Sequence, residues 1–472
     1  MAIVRWLASK LANKAISGLL LLAATAVYLI FLINGTNVFY EQGQFQLLET
    51  ENEASVKTIT RAKQITEANL IECRNEKEHF QQTNTTLRKK LEECERQHDA
   101  AGLSVEETNM LKHVREYMHS QRAFFEYVTA VLRDTPYPGI ENYTRYSVAR
   151  LGLMPIDGVQ PLVPEFGVVV NDVTSFRYPI SIPPCQEGNR SVFIAIISAP
   201  GNFNKREMIR QTWLNHLEDV HEERLLRVAG YGFVIGLTEN NETQKAIEEE
   251  SHLNGDIIQI EMSDFYRNLS LKVAGLLNWL NGNCFKVDFV LKVDDDVYVN
   301  VRNLVHFLEA HHPSNHSIFG LGAGNLFPAR WGQWNITVEE WPWSQYPPYF
   351  FGPAVLIPGN TVLPLLAACQ TTPMMPFDDV YLTGMCTEKA GITVLKSFNS
   401  TSVLAMGLPG IPTACHVHHY IAWTTVSGNH MNNSHASTND FYRNETQCIL
   451  PDESSGTNRT VDPTEFVHFS FY

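Results

Sequence analysis

The first 33 residues contain no acid, and residues 50–100 contain neither proline nor glycine. The eight cysteines all fall after Ile33 and none forms a CxxC pair, so the usual close-spaced zinc site is not expected. Basic charge is also scarce. The formal charge of -15 gives no overall field that would attract nucleic acid, and leaves room for an anion bridged by a metal.

What replaces acid near the N-terminus is an apolar run, Ala15 to Ile33, preceded by Arg5, Lys10 and Lys14. At about 1.5 Å per helical residue it can cross a bilayer core. The positive-inside rule then makes residues 1–14 a cytoplasmic tail, 15–33 an uncleaved signal anchor and everything after it lumenal. A cleaved signal peptide is the rival, and Ala24-Thr25-Ala26 would permit it; the apolar region is longer than such peptides usually carry. Its modest length suits a thinner membrane of the early secretory pathway. Asn-X-Ser/Thr acceptors at Asn84, Asn142, Asn189, Asn241, Asn315, Asn399, Asn432, Asn444 and Asn458 agree with a lumenal location, as do cysteines free to oxidise there. Further acceptors at Asn34, Asn268 and Asn335 lie near the membrane or in stretches with other uses.

The absence of helix breakers over 50–100 suits an exposed helix. Ile59, Thr66, Cys73, Phe80, Leu87 and Cys94 recur every seven positions, with Leu70 and Leu91 on a second line. Lys63, Lys77 and Asn84 interrupt that line, so a solvated single helix competes with a coiled coil. A parallel homodimer would place Cys73 and Cys94 on its seam. A second, amphipathic helix is expected over 104–133, opened by the Ser104 capping box and stopped by Pro136 and Pro138. Together these make 34–184 a lumenal stem, with the globular domain running from about Cys185 to Gly428. Residues 429–472 read as a polar, glycosylated extension.

Within the globular region, apolar runs at Val192–Ser198, Tyr231–Leu237, Ile257–Glu261 and Phe289–Val293 alternate with helical patterns at 204–215, 241–252, 268–282 and 301–311. This alternation predicts an α/β fold with a mostly parallel sheet covered on both faces, whose ligands bind beyond the carboxyl ends of the strands. FVLKVDDDVYVN (Phe289–Asn300) puts three acids at such an end. In an extended chain Asp294 and Asp296 share a face and Asp295 points away. Hard carboxylate oxygens suit Mg²⁺ or Mn²⁺ with open positions for a diphosphate. The bland alternative is that Asp296 caps the helix starting near Val301.

The string of blocks resembles the β-1,3-galactosyltransferases and β-1,3-N-acetylglucosaminyltransferases of glycosyltransferase family 31. NKREMIRQTW (Asn204–Trp213) is similar to R-x-x-I-R-x-T-W, and DFYRNLSLK (Asp264–Lys272) to D-x-Y-x-N-L-T-L-K. The aspartate motif, YPPY (Tyr346–Tyr349) and DDVYLTGMC (Asp378–Cys386) come after these in order. The resemblance implies a GT-A (Rossmann-like) domain in a Golgi type II membrane protein, with a UDP-sugar donor, a glycan acceptor and Mn²⁺. It further implies Asp296 and Asp294 at the metal, with Asp294 also reaching the nucleotide. Asp295, Arg206, Arg210 and Lys272 join the donor-binding set. Asp379 becomes the base that takes the acceptor's proton, with Asp378 the fallback, and Tyr346, Tyr349, Gly352 and Asp378 line the acceptor and donor pocket. Transfer of galactose or N-acetylglucosamine with inversion is the implied reaction.

Read without the family, each of these has a plainer role. Arg206 and Arg210 can be a solvated helix edge, Lys272 a surface lysine, and Asp378-Asp379 acids favoured at a helix N-terminus. Trp213 and Trp279 are expected to pack in the core, and His416, His418 and His419 to be structural. Two departures from the family pattern stand out. Phe350-Phe351-Gly352-Pro353-Ala354 replaces a glycine-rich stretch, and DDVYLTGMC has one residue more between tyrosine and cysteine than usual, which would turn an α-helix by about 100°. They leave open a catalytically silent scaffold that pairs with active transferases. A metal-dependent lumenal phosphohydrolase is a more distant alternative.

Overall fold

The computed structural model describes residues 126–472 apart from 187, 189, 190, 312–315, 324, 325, 398–401, 453–455, 466, 468 and 470–472. The anchor, the seven-residue repeat, most of the 104–133 helix and the acceptor sites Asn84, Asn189, Asn315 and Asn399 lie outside the described residues.

Seven strands build the main sheet in the order β3-β2-β1-β4-β7-β6-β8. Its parallel half is β1 (Ser191–Ile197), β2 (Arg227–Leu237), β3 (Ile257–Ser263) and β4 (Phe289–Asp294). Every residue of β1 is buried, as expected of a central strand covered on both faces. β7 (Phe350–Pro358) runs antiparallel to both β4 and β6 (Ser317–Gly322), and β8 (Thr393–Ser397) closes the edge parallel to β6. The alternating pattern thus predicts the parallel half but not the antiparallel one. A second sheet joins β5 (Val297–Val299), β9 (Ser402–Ala405) and β10 (Tyr420–Thr424). A hairpin of β11 (Ile449–Asp452) and β12 (Thr457–Thr460) comes last.

Helices among the described residues include α1 (Ile140–Leu151), α2 (Phe203–Gln211), α3 (Trp213–Glu222), α4 (Asn241–Asn254), α5 (Leu269–Asn283), α6 (Val301–Ala310), α7 (Val362–Thr371), α8 (Thr387–Ala390), α9 (Ala414–His419) and α10 (Gly428–Tyr442), with 126–132 helical ahead of them. The expected 204–215 helix breaks at Thr212, which has non-helical angles and whose hydroxyl donates to the Met208 carbonyl. Asn300, not Asp296, caps α6, accepting from the Asn303 amide. The bland role for Asp296 therefore fails.

Both expected domain limits are corrected. Residues 137–183 are woven into the globular body, because the Tyr137, Tyr143 and Tyr146 rings pack against Trp341 and Trp343, and the segment from Arg177 to Ile180 hydrogen-bonds along β3. That segment covers what would be an open sheet edge. At the other limit, α10 buries His430, Met431, Ser434, Thr438 and Phe441 and so belongs to the core. Its sequence reads as polar because serine and threonine satisfy their hydroxyls internally; Thr438 donates to the Ser434 carbonyl, and Ser434 receives the Trp423 indole N–H. Asn142, Asn241, Asn432, Asn444 and Asn458 are all exposed, as glycan acceptors must be.

Trp213 and Trp279 are fully packed, their indoles donating to the Val297 carbonyl and the Ser181 hydroxyl. Two disulfides, Cys185–Cys284 and Cys415–Cys448, fix the entry to β1 and the loop ahead of the hairpin. Among the described residues no helix is long and apolar enough to cross a membrane.

Candidate active site

The aspartate run leaves the sheet where β4 ends. Asp294 is the last residue of β4, while Asp295 and Asp296 form the turn into β5. The extended geometry expected for all three therefore stops at Asp294, yet the expected division of labour survives. Asp296 is half exposed and Asp294 a third exposed.

Asp295 points inward, and its expected place in donor binding is corrected. One carboxylate oxygen accepts from Ser198 (2.8 Å) and Asn202 (2.7 Å), the other from Lys205 (2.7 Å). This acid locks the loop after β1 beneath the site. Lys205 also reaches Asp296 at 3.6 Å.

The two arginines are corrected as well. Arg206 is fully buried, pairing with Glu250 at 2.6 Å and donating to the Ala199 and Pro200 carbonyls and the Ser198 hydroxyl. Arg210 pairs with Asp256 and Glu250, both at 2.8 Å. Four-residue spacing put both on one helical face, but that face looks onto α4 rather than onto a ligand. Lys272 is 1% exposed, pairs with Asp264 at 2.6 Å and donates to the Ser198 carbonyl, so it too is an internal tie. Gly236 makes room for it indirectly: a Cβ there would meet the Asp264 side chain at 2.9 Å. Replacing Arg206 with methionine is expected to destabilise the fold by about 3–5 kcal/mol, because Glu250 would lose a buried counter-charge. Chemical denaturation checks this, and nucleotide affinity per folded molecule should stay unchanged.

Lys292 is the residue that sequence reading missed. It sits in the middle of β4, 2% exposed, and its ammonium lies 3.1 Å from Asp294, 3.0 Å from Asp378 and 2.8 Å from the Gly352 carbonyl. Burial opposes its charge, but Asp294 and Asp378 outweigh it and raise its pKa. A lysine inside an otherwise apolar strand was the available signal. It joins the aspartate run to the DDV block across β7.

Asp379 stands beside this cluster. Burial first, then the neighbouring Asp378 charge, push its carboxyl up to about 7, against a hydrogen bond from the Val380 amide. Burial likewise pushes Asp294 up to about 6, with Asp378 and Asp296 adding to the shift and Lys292 opposing it. Tyr346 and Tyr349 are buried nearby, and both hydroxyls feel the Asp379 charge after the larger effect of burial.

The two departures from the family pattern resolve structurally. Asp379–Cys386 is a π-helix, whose wider turn takes up one extra residue without rotating the chain beyond it. Thr383 steadies it, donating to the Asp379 carbonyl (2.7 Å) and receiving the Phe350 amide (2.8 Å). Phe350 is fully buried, its ring lying over Gly320, while Gly352 holds the tight position beside the acids. A Cβ on Gly352 would meet the Asp379 Cβ at 3.2 Å. The Phe350 ring is thus taken into the core, and Phe351 is half-buried.

A cleft of 510 Å³ opens beside Asp296, lined also by Lys205, Thr425, Ser427 and Met431. Another hollow, of 420 Å³ around Tyr231 and Asp256, lies at the opposite ends of the strands and holds none of these carboxylates. Near the acids, Tyr266 has its hydroxyl 2.8 Å from the Trp334 indole nitrogen, and burial first, then Asp378, Asp379 and Asp294, raise its pKa. Trp334 is 61% exposed. Of the histidines in α9, His416 completes a capping box with Thr413, and His418 is buried.

A parallel-rich sheet thus brings the acids at the end of its central strand to a second acid pair across a shared lysine. Residues 204–397 match the family model described as Galactosyltransferase. The chain is 35% identical over 215 residues to a human acetylgalactosaminyl-O-glycosyl-glycoprotein β-1,3-N-acetylglucosaminyltransferase, covering 43% of this chain and 54% of that one. It is also 35% identical over 210 residues to a β-1,3-galactosyltransferase of Drosophila melanogaster, covering 42% and 60%. The chain thus spans little more than half the length of these curated relatives. Among solved structures, a glycosyltransferase involved in glycosylation of the major capsid of PBCV-1 aligns at 11% identity and a TM-score of 0.26, covering 51% of this chain and 99% of that one.

Proposed function

We propose that this chain is an inverting β-1,3-glycosyltransferase of GT-A architecture. It transfers galactose or N-acetylglucosamine from a UDP-sugar to a hydroxyl of a glycan acceptor. We further propose that it works in the Golgi lumen as a type II membrane protein anchored by residues 15–33 and uses Mn²⁺. The observation that carries this reading is the placement of Asp379, a largely buried carboxyl next to Asp378, whose ion pair with Lys292 links it to the partly exposed Asp294 at the end of β4.

Asp294 and Asp296 fit a hard divalent cation. Asp296 is half exposed with a single lysine at 3.6 Å, and Asp294 is close enough to feel its charge. A bound cation would offset the diphosphate's charge and favour its departure. The protein's own part is to keep Asp294 and Asp296 oriented through Lys292 and Lys205, and to set Asp379 where it can accept the acceptor hydroxyl's proton as that oxygen attacks. The cleft beside Asp296, with Lys205 on its wall, has room for the nucleotide.

The silent-scaffold alternative rests on the altered glycine stretch and the extra residue; against it, Phe350 packs in the core and Asp379 precedes the inserted residue in the π-helix. The test is to assay the full chain, in detergent with Mn²⁺, for transfer from a panel of UDP-sugars to galactosides and N-acetylglucosaminides. Tight UDP binding with no transfer to any acceptor would favour the scaffold.

The base assignment fixes a pH dependence. Asp379 must be ionised to accept a proton, so transfer should rise with pH through about 7 and level off above it. A rate flat from pH 5 to 8 would remove Asp379 from that role. The exposed Trp334 ring, fixed by Tyr266, offers a face on which a sugar ring can stack. Trp334→Ala should raise the acceptor KM about fivefold, for a loss of about 1 kcal/mol, and leave the donor KM unchanged.

A further inference from the structure

Cys369 on α7 and Cys386 at the end of the π-helix are both fully buried, and their sulfurs face each other at 3.6 Å. Every other cysteine among the described residues is already in a disulfide. We infer that Cys369 and Cys386 form a third disulfide, a cross-link that ties the segment carrying Asp379 to α7. The inference does not depend on the proposed activity.

The contact exists because of the π-helix. In an α-helical path the additional residue of DDVYLTGMC would rotate Cys386 by about 100°, away from α7. With the wider turns, Cys386 faces Cys369, and Tyr381 in the same segment donates to the Cys369 and Thr372 carbonyls. Gly384 lets the segment approach YPPY, since a Cβ there would meet Pro347 at 3.0 Å. The bond would close a short loop that contains Asp378 and Asp379.

The timing of the bond is set by burial. In the folded chain desolvation holds the Cys386 thiol well above its ordinary pKa, so little thiolate is present to react and no oxidant can reach it. Oxidation therefore belongs to folding, before this core closes. One thiolate attacks the disulfide of an oxidised dithiol carrier, the second displaces the carrier from the mixed disulfide, and the carrier leaves as its dithiol with the two electrons.

The chain between Arg330 and Lys389 contains no lysine or arginine, so both cysteines fall in one tryptic peptide, residues 331–389. The full chain, made in a secretory pathway, is denatured without reductant, alkylated and digested. The expected peptide is unalkylated at both sites and lighter by a pair of hydrogens, and cleavage before Asp378 splits it into two pieces that part only on reduction. Alkylation at both positions, or a bond from either to another cysteine, overturns the inference. Stability gives an independent reading. Cys369→Ala, Cys386→Ala and the double variant should lower the unfolding midpoint by the same several degrees, because each breaks the same bond. Losses that add would mean two thiols packed separately.

Discussion

Asp379→Asn should lower transfer by at least about 10³-fold while Mn²⁺-dependent UDP affinity stays within about twofold. The amide keeps the size of the side chain and can still accept from the Val380 amide, but it cannot take a proton from an attacking hydroxyl. Asp378 is no substitute, since Lys292 holds it at 3.0 Å in an internal ion pair. The acid limb of the pH profile should vanish from whatever residual rate remains. Calorimetry of UDP binding beside initial-rate assays separates the two effects, and a parallel loss of UDP affinity would place Asp379 in donor binding.

The complementary result is expected beyond the carboxyl end of β4. Asp296→Asn should weaken metal-dependent UDP binding by about 100-fold or more, and transfer should fall with it at any attainable donor concentration. Asp296 takes little part in the fold, being half exposed with Lys205 at 3.6 Å, so thermal stability should hardly change. Asp295→Asn offers the contrast. That acid receives three hydrogen bonds in the interior, so its substitution should cost stability before it costs affinity. Metal titrations followed by UDP binding, alongside melting curves, distinguish the neighbours. Equal behaviour of the two variants would undo their separate assignments.

Much of this arrangement was legible in the sequence. Apolar runs and helical spacing locate β1 to β4, and the family blocks mark the loops at their ends. Side-chain direction was not legible, and it decides roles. Arg206, Arg210, Lys272 and Asp295 all lie in matched blocks, yet each faces inward to a partner far away in the chain, such as Glu250 for Arg206 or Asp264 for Lys272. No local pattern reveals that a charge has such a partner. Lys292 was overlooked for the same reason, because its importance comes from Asp378 across the sheet. The antiparallel strands β6 and β7 escaped notice because glycine and proline interrupt them, and α10 because its buried face is made largely of hydroxyls. The π-helix was announced by a one-residue excess, but only the fold shows how that residue is absorbed.

The tyrosines of α1 bear on practical handling. A preparation begun at Cys185, where the stem seemed to end, would strip the rings that cover Trp341 and Trp343 and uncover the strand edge at β3. Such a fragment should clump, whereas one beginning ahead of Glu126 keeps those surfaces shielded and should remain in solution.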